Sequence, residues 1–166
     1  MRAVLTSMAD HYVKRAAAMS RLSVEDRLLL HELPGRYGDA VDDRNWAALD
    51  AIFCDDAVFE VRGWATLNGL AEIKRYMDEE GQHPLAHLMC NIHLDDSADD
   101  GIVRQYFRIV APVPRSDKHS NGYPMHFGSY YDELVKTPDG WRVKHRIFSA
   151  KRLYKQTATV DLKGER

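Results

Sequence analysis

Apolar positions along the chain change period part-way. From Ser23 to Phe53 and again from Gly69 to Glu80 they recur at helical spacing, with a strand-like stretch between, and beyond Pro84 the runs favour strands. Ser23 followed by Glu25 and Asp26 has the form of an N-cap with acidic residues at the positive end of a helix dipole. Leu28, Leu29, Leu33, Tyr37 and Val41 then form one stripe, and Pro34 and Gly35 predict a kink within it. A second helix fits Asn45 to Phe53, with Trp46, Leu49, Ile52 and Phe53 on one side, and Asp55 and Asp56 end it. Ala57 to Val61 reads as a strand, Gly63 to Asn68 as a turn and short strand, and Gly69 to Glu80 as a third helix with Leu70, Ile73 and Tyr76 inward.

Four strand-favouring runs follow: Leu85 to Leu94, Ile102 to Val113, Tyr123 to Val135 and Trp141 to Tyr154. Pro138, Asp139 and Gly140 mark a hairpin between the last two. Helices first and antiparallel strands after mean an α+β domain with helices on one face of a sheet. Several strands are apolar on both faces, so the uncovered face is expected to meet a second copy, giving a homodimer. In the first long strand, Leu88, Cys90, Ile92 and Leu94 fall on one side by alternation, and His87, Met89, Asn91 and His93 on the other.

Composition narrows the function classes. The chain has 166 residues, within the range of one domain, with 23 basic residues against 25 acidic ones and no basic stripe, which argues against nucleic acid. No apolar run approaches the roughly 18 residues of a bilayer span. Cys54 and Cys90 lack paired spacing, which points to reduced thiols and a cytoplasmic protein, and excludes a cysteine zinc site. His83, His87 and His93 do not make a metal site either, since His87 and His93 would stand roughly 20 Å apart along a strand. Residues 1–22 read as an extension, helical or frayed, 23–154 as the domain, and 155–166 as a tail.

The element order and the phrases RYGDAVDDRNWAALDAIFCDDAVFE, HLMCNIHLDD and YYDELVKTPDGWRVKHRIF resemble the SnoaL-like branch of the NTF2-like superfamily. The resemblance implies a cone: a strongly curved antiparallel sheet and about three N-terminal helices enclosing an apolar pocket. The group includes scytalone dehydratase, a dehydrochlorinase, bile-acid dehydratases, steroid isomerases and polyketide cyclases. It also includes non-catalytic members, so fold alone does not name the reaction. In several of its eliminating enzymes an Asp after the first helix pairs with a His at the start of a long strand, and that His is the base. Asp42 and His87 hold the matching positions, and Tyr37 stands where the bile-acid dehydratases carry a catalytic or orienting Tyr. Where those enzymes have a second Asp, or scytalone dehydratase a second His, this chain has Ala111 or Pro112.

The resemblance therefore implies a cofactor-independent lyase of dehydratase type, or an isomerase, that removes a proton from a hydrophobic ring-containing small molecule. His87 would be the base, Asp42 its partner and Tyr37 a polar pocket group. Read as residues alone, His87 is equally a strand residue bonded to backbone, Tyr37 a core residue, and Asp42 or Asp43 a cap for the second helix. Asn91, His126, Tyr130 and Arg146 are candidate polar contacts to substrate, Arg146 having an ion pair with Asp132 or Glu133 as its other fate. Trp64, Phe59, Met89 and Phe148 are candidate walls. Two other functions stay open: a non-catalytic small subunit of a ring-hydroxylating dioxygenase, and a small-molecule-binding module without turnover.

Overall fold

The computed structural model describes residues 21–79, 84–98, 100–112 and 125–151. The N-terminal extension up to residue 20 and the tail 155–166 lie outside them. So do His83, Val113, Tyr123 and residues 152–154, at the ends of the expected strands.

Helix α1 spans Val24–Asp42 and is capped as its sequence suggests, the Asp26 amide donating to Ser23 Oγ at 3.0 Å. Asp26 in turn ties this first turn to the last hairpin, accepting from Trp141 Nε1 at 2.8 Å and from Lys136 Nζ at 2.8 Å. Pro34 lies inside α1 and does not end it. A proline cannot donate to the carbonyl four residues earlier, here Leu30. That carbonyl is served from across the core: Gln105 Nε2, on a fully buried side chain, donates to Leu30 O at 2.7 Å. The apolar face is also rotated from the expected stripe. Leu30, Leu33, Tyr37, Ala40 and Val41 are buried, whereas Leu28 is 61% and Leu29 37% exposed.

The expected second helix is a 3-10 helix, Trp46–Ala51, capped by Asn45, whose Oδ1 accepts from the Ala48 amide at 3.3 Å. Neither Asp42 nor Asp43 caps it. Strand β1, Phe53–Val61, begins earlier than expected and runs straight through Asp55 and Asp56, both exposed. Strand β2, Ala65–Asn68, leads into α2, Leu70–Glu79, which buries Leu70, Ile73 and Met77. Strands β3 (Leu88–Asp95), β4 (Val103–Pro112), β5 (Met125–Thr137) and β6 (Gly140–Lys151) complete a curved sheet of order β2-β1-β6-β5-β4-β3. Every pair is antiparallel except β1 with β6, which is parallel.

The core fills the space between the helices and the inner face of the sheet. It includes Phe59 and Val61 of β1, Phe107, Ile109 and Ala111 of β4, Tyr130 and Leu134 of β5 and Val143 of β6. Strict alternation fails in β3. Met89 pairs Ile109 and Cys90 pairs Arg108, but His93 then pairs Tyr106, so an extra residue is accommodated at Asn91, whose φ is 53°. Such a bulge moves every later side chain to the other face. Ile92 and Leu94 pack on the core, while Asn91 and His93 turn to the outer face.

Candidate active site

α1 carries two of the expected site residues. Tyr37 and Asp42 lie near its C-terminal end, and β3 enters alongside. Gly38 sets the approach: a Cβ there would stand 3.2 Å from His87 Cβ and 3.3 Å from His87 O, closer than packing normally allows. With no side chain between them, Asp42 reaches His87 twice. Its Oδ2 accepts from the His87 backbone amide at 2.7 Å, and its Oδ1 meets His87 Nδ1 at 2.5 Å. One carboxylate thus holds both the main chain and the ring, leaving the imidazole a single orientation. The His87 side chain is 5% exposed and that of Asp42 22%.

His87 lines a pocket of about 400 Å³ between the helices and the sheet. Its walls are Val41, Phe59, Val61, Met77, Ile109, Ala111 and Phe148, with Tyr37, Tyr76 and Tyr130 also facing it. Trp64, Ala65, Pro84, His126 and Phe127 also line it, and Trp64 is 77% exposed. Among the described lining residues none is Asp, Glu, Lys or Arg. Burial pushes the Tyr37 hydroxyl up from its usual value, against the nearby Arg146 charge, and raises the Tyr130 hydroxyl well above it. Both therefore stay protonated near neutral pH, and the two hydroxyls hydrogen-bond each other.

Gly128 shapes the same pocket from β5. A Cβ on Gly128 would collide with the Phe148 ring and come within 3.0 Å of Ile109 Cγ2. Its absence lets Phe148 fold across the strand to within 4.9 Å of the Tyr130 ring, centroid to centroid.

Three expected site residues sit elsewhere. Arg146 does not line the pocket. It is fully buried beneath it, gripping Asp132 through Nε at 2.8 Å and Nη2 at 2.6 Å, with Tyr37 at 4.1 Å and Phe53, Phe59, Phe107 and Tyr130 also around it. Burial raises the Asp132 carboxyl, and the guanidinium opposes that rise. Asn91 was expected beside His87; the bulge places it, with His93, in a depression of about 540 Å³ on the outer face. That also separates His87 from His93 by a sheet thickness, and among the described residues no cluster of His, Cys, Asp or Glu is arranged to hold a metal ion. Met89 faces inward but packs under α1, where its Cε would lie 3.5 Å from a Cβ on Gly38, and is not a pocket wall.

Several lining residues were not singled out from sequence. Tyr76 and Met77 come from α2, where helical spacing marked Tyr76 as inward, and Ile109 from alternation in β4. Gly38 and Gly128 carry no sequence signal of their role, because the need for a missing side chain appears only when two elements meet.

A family model described as SnoaL-like domain matches residues 22–147. The chain belongs to the SnoaL-like family. This SnoaL-like protein, of the NTF2-like superfamily, is 28% identical over 133 residues to the uncharacterized protein Rv2910c of Mycobacterium tuberculosis; the match covers 78% of this chain and 88% of that one. Among solved structures it resembles a putative scytalone dehydratase from Novosphingobium aromaticivorans, with 17% identity and a TM-score of 0.64, covering 78% of this chain and 89% of the other. It is also similar to the hexachlorocyclohexane dehydrochlorinase LinA-type3 from Novosphingobium barchaimii, with 19% identity and a TM-score of 0.62, covering 78% and 92%. At these identities the structural likenesses establish the fold of the SnoaL-like protein and leave its reaction to the site.

Proposed function

We propose that this protein is a cofactor-independent lyase of dehydratase type, or an isomerase, that removes a proton from carbon on a hydrophobic ring-containing small molecule. The observation that carries the proposal is the double hydrogen bond that the Asp42 carboxylate accepts from His87 at the wall of an apolar pocket. In this mechanism Nδ1–H donates to the carboxylate, which leaves the second ring nitrogen as the proton acceptor. The carboxylate then compensates the imidazolium charge once the proton arrives. The substrate electrons flow into an adjacent carbonyl, and the Tyr37 and Tyr130 hydroxyls donate to the oxyanion that forms. The names of the dehydratase and dehydrochlorinase neighbours accord with this class of proton removal.

The test is deuterium wash-in. With 4-phenylbutan-2-one as a neutral aromatic ketone probe in D₂O, the native protein is expected to catalyse exchange at the carbons next to the carbonyl. His87→Gln is expected to slow it by roughly 10²-fold or more, the usual contribution of a positioned base. Nitrogen-15 shifts of the His87 ring should report Nδ1–H in the native protein and a changed tautomer in Asp42→Asn. Tight binding of the ketone with no exchange would instead support the binding-module reading, and co-elution with an iron-containing chain the dioxygenase-subunit reading.

We also infer a homodimer through the outer sheet face, in the cytoplasm. Glu60 and Glu133 lie on that face with His145 between them at 2.8 Å and 3.9 Å, and Arg104 stands opposite Glu133. Arg62 and Arg108 line the depression beside the Tyr106 and Tyr131 rings. A two-fold axis through the tyrosines would set Arg62 and Arg108 of one copy near Glu60 and Glu133 of the other. A dimeric mass by light scattering that falls to monomer in the Arg62→Glu, Arg108→Glu variant would agree, and a monomeric native protein would remove the idea. Cys54 and Cys90 are both free thiols, as a reducing compartment favours.

A further inference from the structure

On the outer face of the sheet, away from the pocket, four strands bring one row of side chains together. Arg108 on β4 pairs Ser129 on β5, and Ser129 pairs Ser149 on β6. The register Val61 to Phe148, continued by one residue, sets Arg62 beside Ser149, and the Arg62 amide donates to Phe148 O at 3.0 Å. Two arginines therefore stand about 14 Å apart at backbone level, with two small hydroxyl side chains between them. This row runs through the depression of about 540 Å³, a volume within the range of small-molecule sites. We propose that the depression is a second ligand site, which takes a small aromatic phosphate monoester. The guanidiniums and serines hold the phosphate, and the Tyr106 and Tyr131 rings flank its aromatic group.

Charge and donor count both point to phosphate. Among the described lining residues none is Asp or Glu. Arg36, Arg75, Arg104 and Arg146 each meet a carboxylate, whereas Arg62 and Arg108 meet none among the described residues. Glu60 and Glu133 lie on the same face but are engaged, the first by His145 at 2.8 Å and the second by the Tyr131 hydroxyl, which donates to it at 2.9 Å. A guanidinium is a planar fork of donors that fits two oxygens of a phosphate. Two such forks with two hydroxyls supply more donors than the lone pairs of one carboxylate can accept, and a phosphate monoester takes them on three oxygens.

The bulge in β3 serves the same place. Asn91 holds a φ of 53°, costly for a residue other than glycine, and the change of parity turns Asn91 and His93 into the depression. Under strict alternation both would share the inner face with His87. The adjacent row supplies ring surface: Tyr106 pairs Tyr131, their centroids are 4.9 Å apart, and Tyr106 is 45% exposed. Contact with these rings favours an aromatic ester over bare phosphate. The site draws on the arginines that the inferred dimer sets near Glu60 and Glu133 of a second copy, so an occupied depression and that contact compete.

The experiment titrates phenyl phosphate and inorganic phosphate calorimetrically into the native protein, Arg62→Gln, Arg108→Gln, Tyr106→Ala and, as a control on α1, Arg36→Gln. Expected is saturable binding of phenyl phosphate, with Kd raised roughly tenfold or more by either depression arginine and less than about twofold by Arg36→Gln. Inorganic phosphate should bind the native protein about fivefold more weakly, a gap that Tyr106→Ala closes. In the native protein phenyl phosphate should shift the Tyr106 ring resonances and leave the Met77 methyl, inside the pocket, in place, a readout that needs no variant. No saturable binding, equal affinity for the two phosphates, unchanged binding in both arginine variants, or shifts at Met77 in place of Tyr106 overturns the proposal. Saturating phenyl phosphate should also lower the dimer fraction in light scattering, and a dimer that binds it without dissociating overturns the competition. The site does not depend on the dimer: with a monomeric native protein the same titrations decide it.

Discussion

Replacing Asp132 by Asn leaves the Arg146 guanidinium charged and fully buried, with nothing ionised to balance it. Its Nη1 already has no hydrogen-bond partner among the described groups and rests on ring faces. Cation–π contact contributes about 0.5–2 kcal/mol where desolvated, so the rings cannot replace a two-point carboxylate contact. Removing one partner of a buried pair typically costs about 3–5 kcal/mol. With a urea m-value of about 2 kcal/mol/M for a domain of this size, the unfolding midpoint should fall by roughly 1.5–2.5 M. Deleting both charges with Asp132→Leu and Arg146→Met should recover most of the loss, to within about 1–2 kcal/mol of the native protein, because the desolvation cost goes with the charges. Urea titrations of Asp132→Leu alone, Arg146→Met alone and the double variant close the cycle, with Asp132→Asn measured beside them. A single Asp132→Asn loss below about 1 kcal/mol would refute the reasoning. So would a double variant as unstable as the sum of the singles, since packing and not charge would then be at stake.

Other expectations concern the backbone devices. Gln105→Met should cost about 1–3 kcal/mol by leaving Leu30 O buried and unmet, and clearly less in a Pro34→Ala background, where α1 can supply its own donor. Asn91→Val should destabilise by about 1–3 kcal/mol because a branched side chain resists the φ of 53°, whereas Asn91→Gly should be tolerated; thermal melts decide this. Gly128→Ala should shift the Phe148 ring resonances and cost about 1–3 kcal/mol through overpacking. The Lys136 and Trp141 hydrogen bonds hold the Asp26 carboxyl below its usual value, so the unfolded chain binds this proton first as pH falls. Its contribution is present above the ordinary carboxylate range and lost through the folded value, and Asp26→Asn should flatten the acid limb of stability against pH.

The class of the fold was legible because it rests on period. Helical spacing in Ser23 to Phe53 and Gly69 to Glu80 and the strand-favouring runs after Pro84 reflect where water must be excluded, and the turn at Pro138 to Gly140 reflects the dihedral preferences of its residues; both are local properties of sequence. The Ser23 cap is equally local. His87 and Asp42 were legible by their place in a resemblance, though 45 residues separate them. Tertiary structure decided what local chemistry leaves open. Pro34 fails to end α1 because a buried Gln105 answers the orphaned carbonyl from a distant strand. Asn91 leaves the pocket because one inserted residue in β3 changes the parity of all that follow, and pairing with β4 alone determines where that insertion falls. Arg146 meets Asp132 and does not line the pocket because neighbouring strands bring their side chains together in the core, where a lone charge is costly. The sequence by itself sets periodicity, caps and the stock of chemical groups, each governed by nearby residues and water. Which groups face one another depends on register and on close approaches such as Gly38 against His87, and these exist only once the strands and helices have packed.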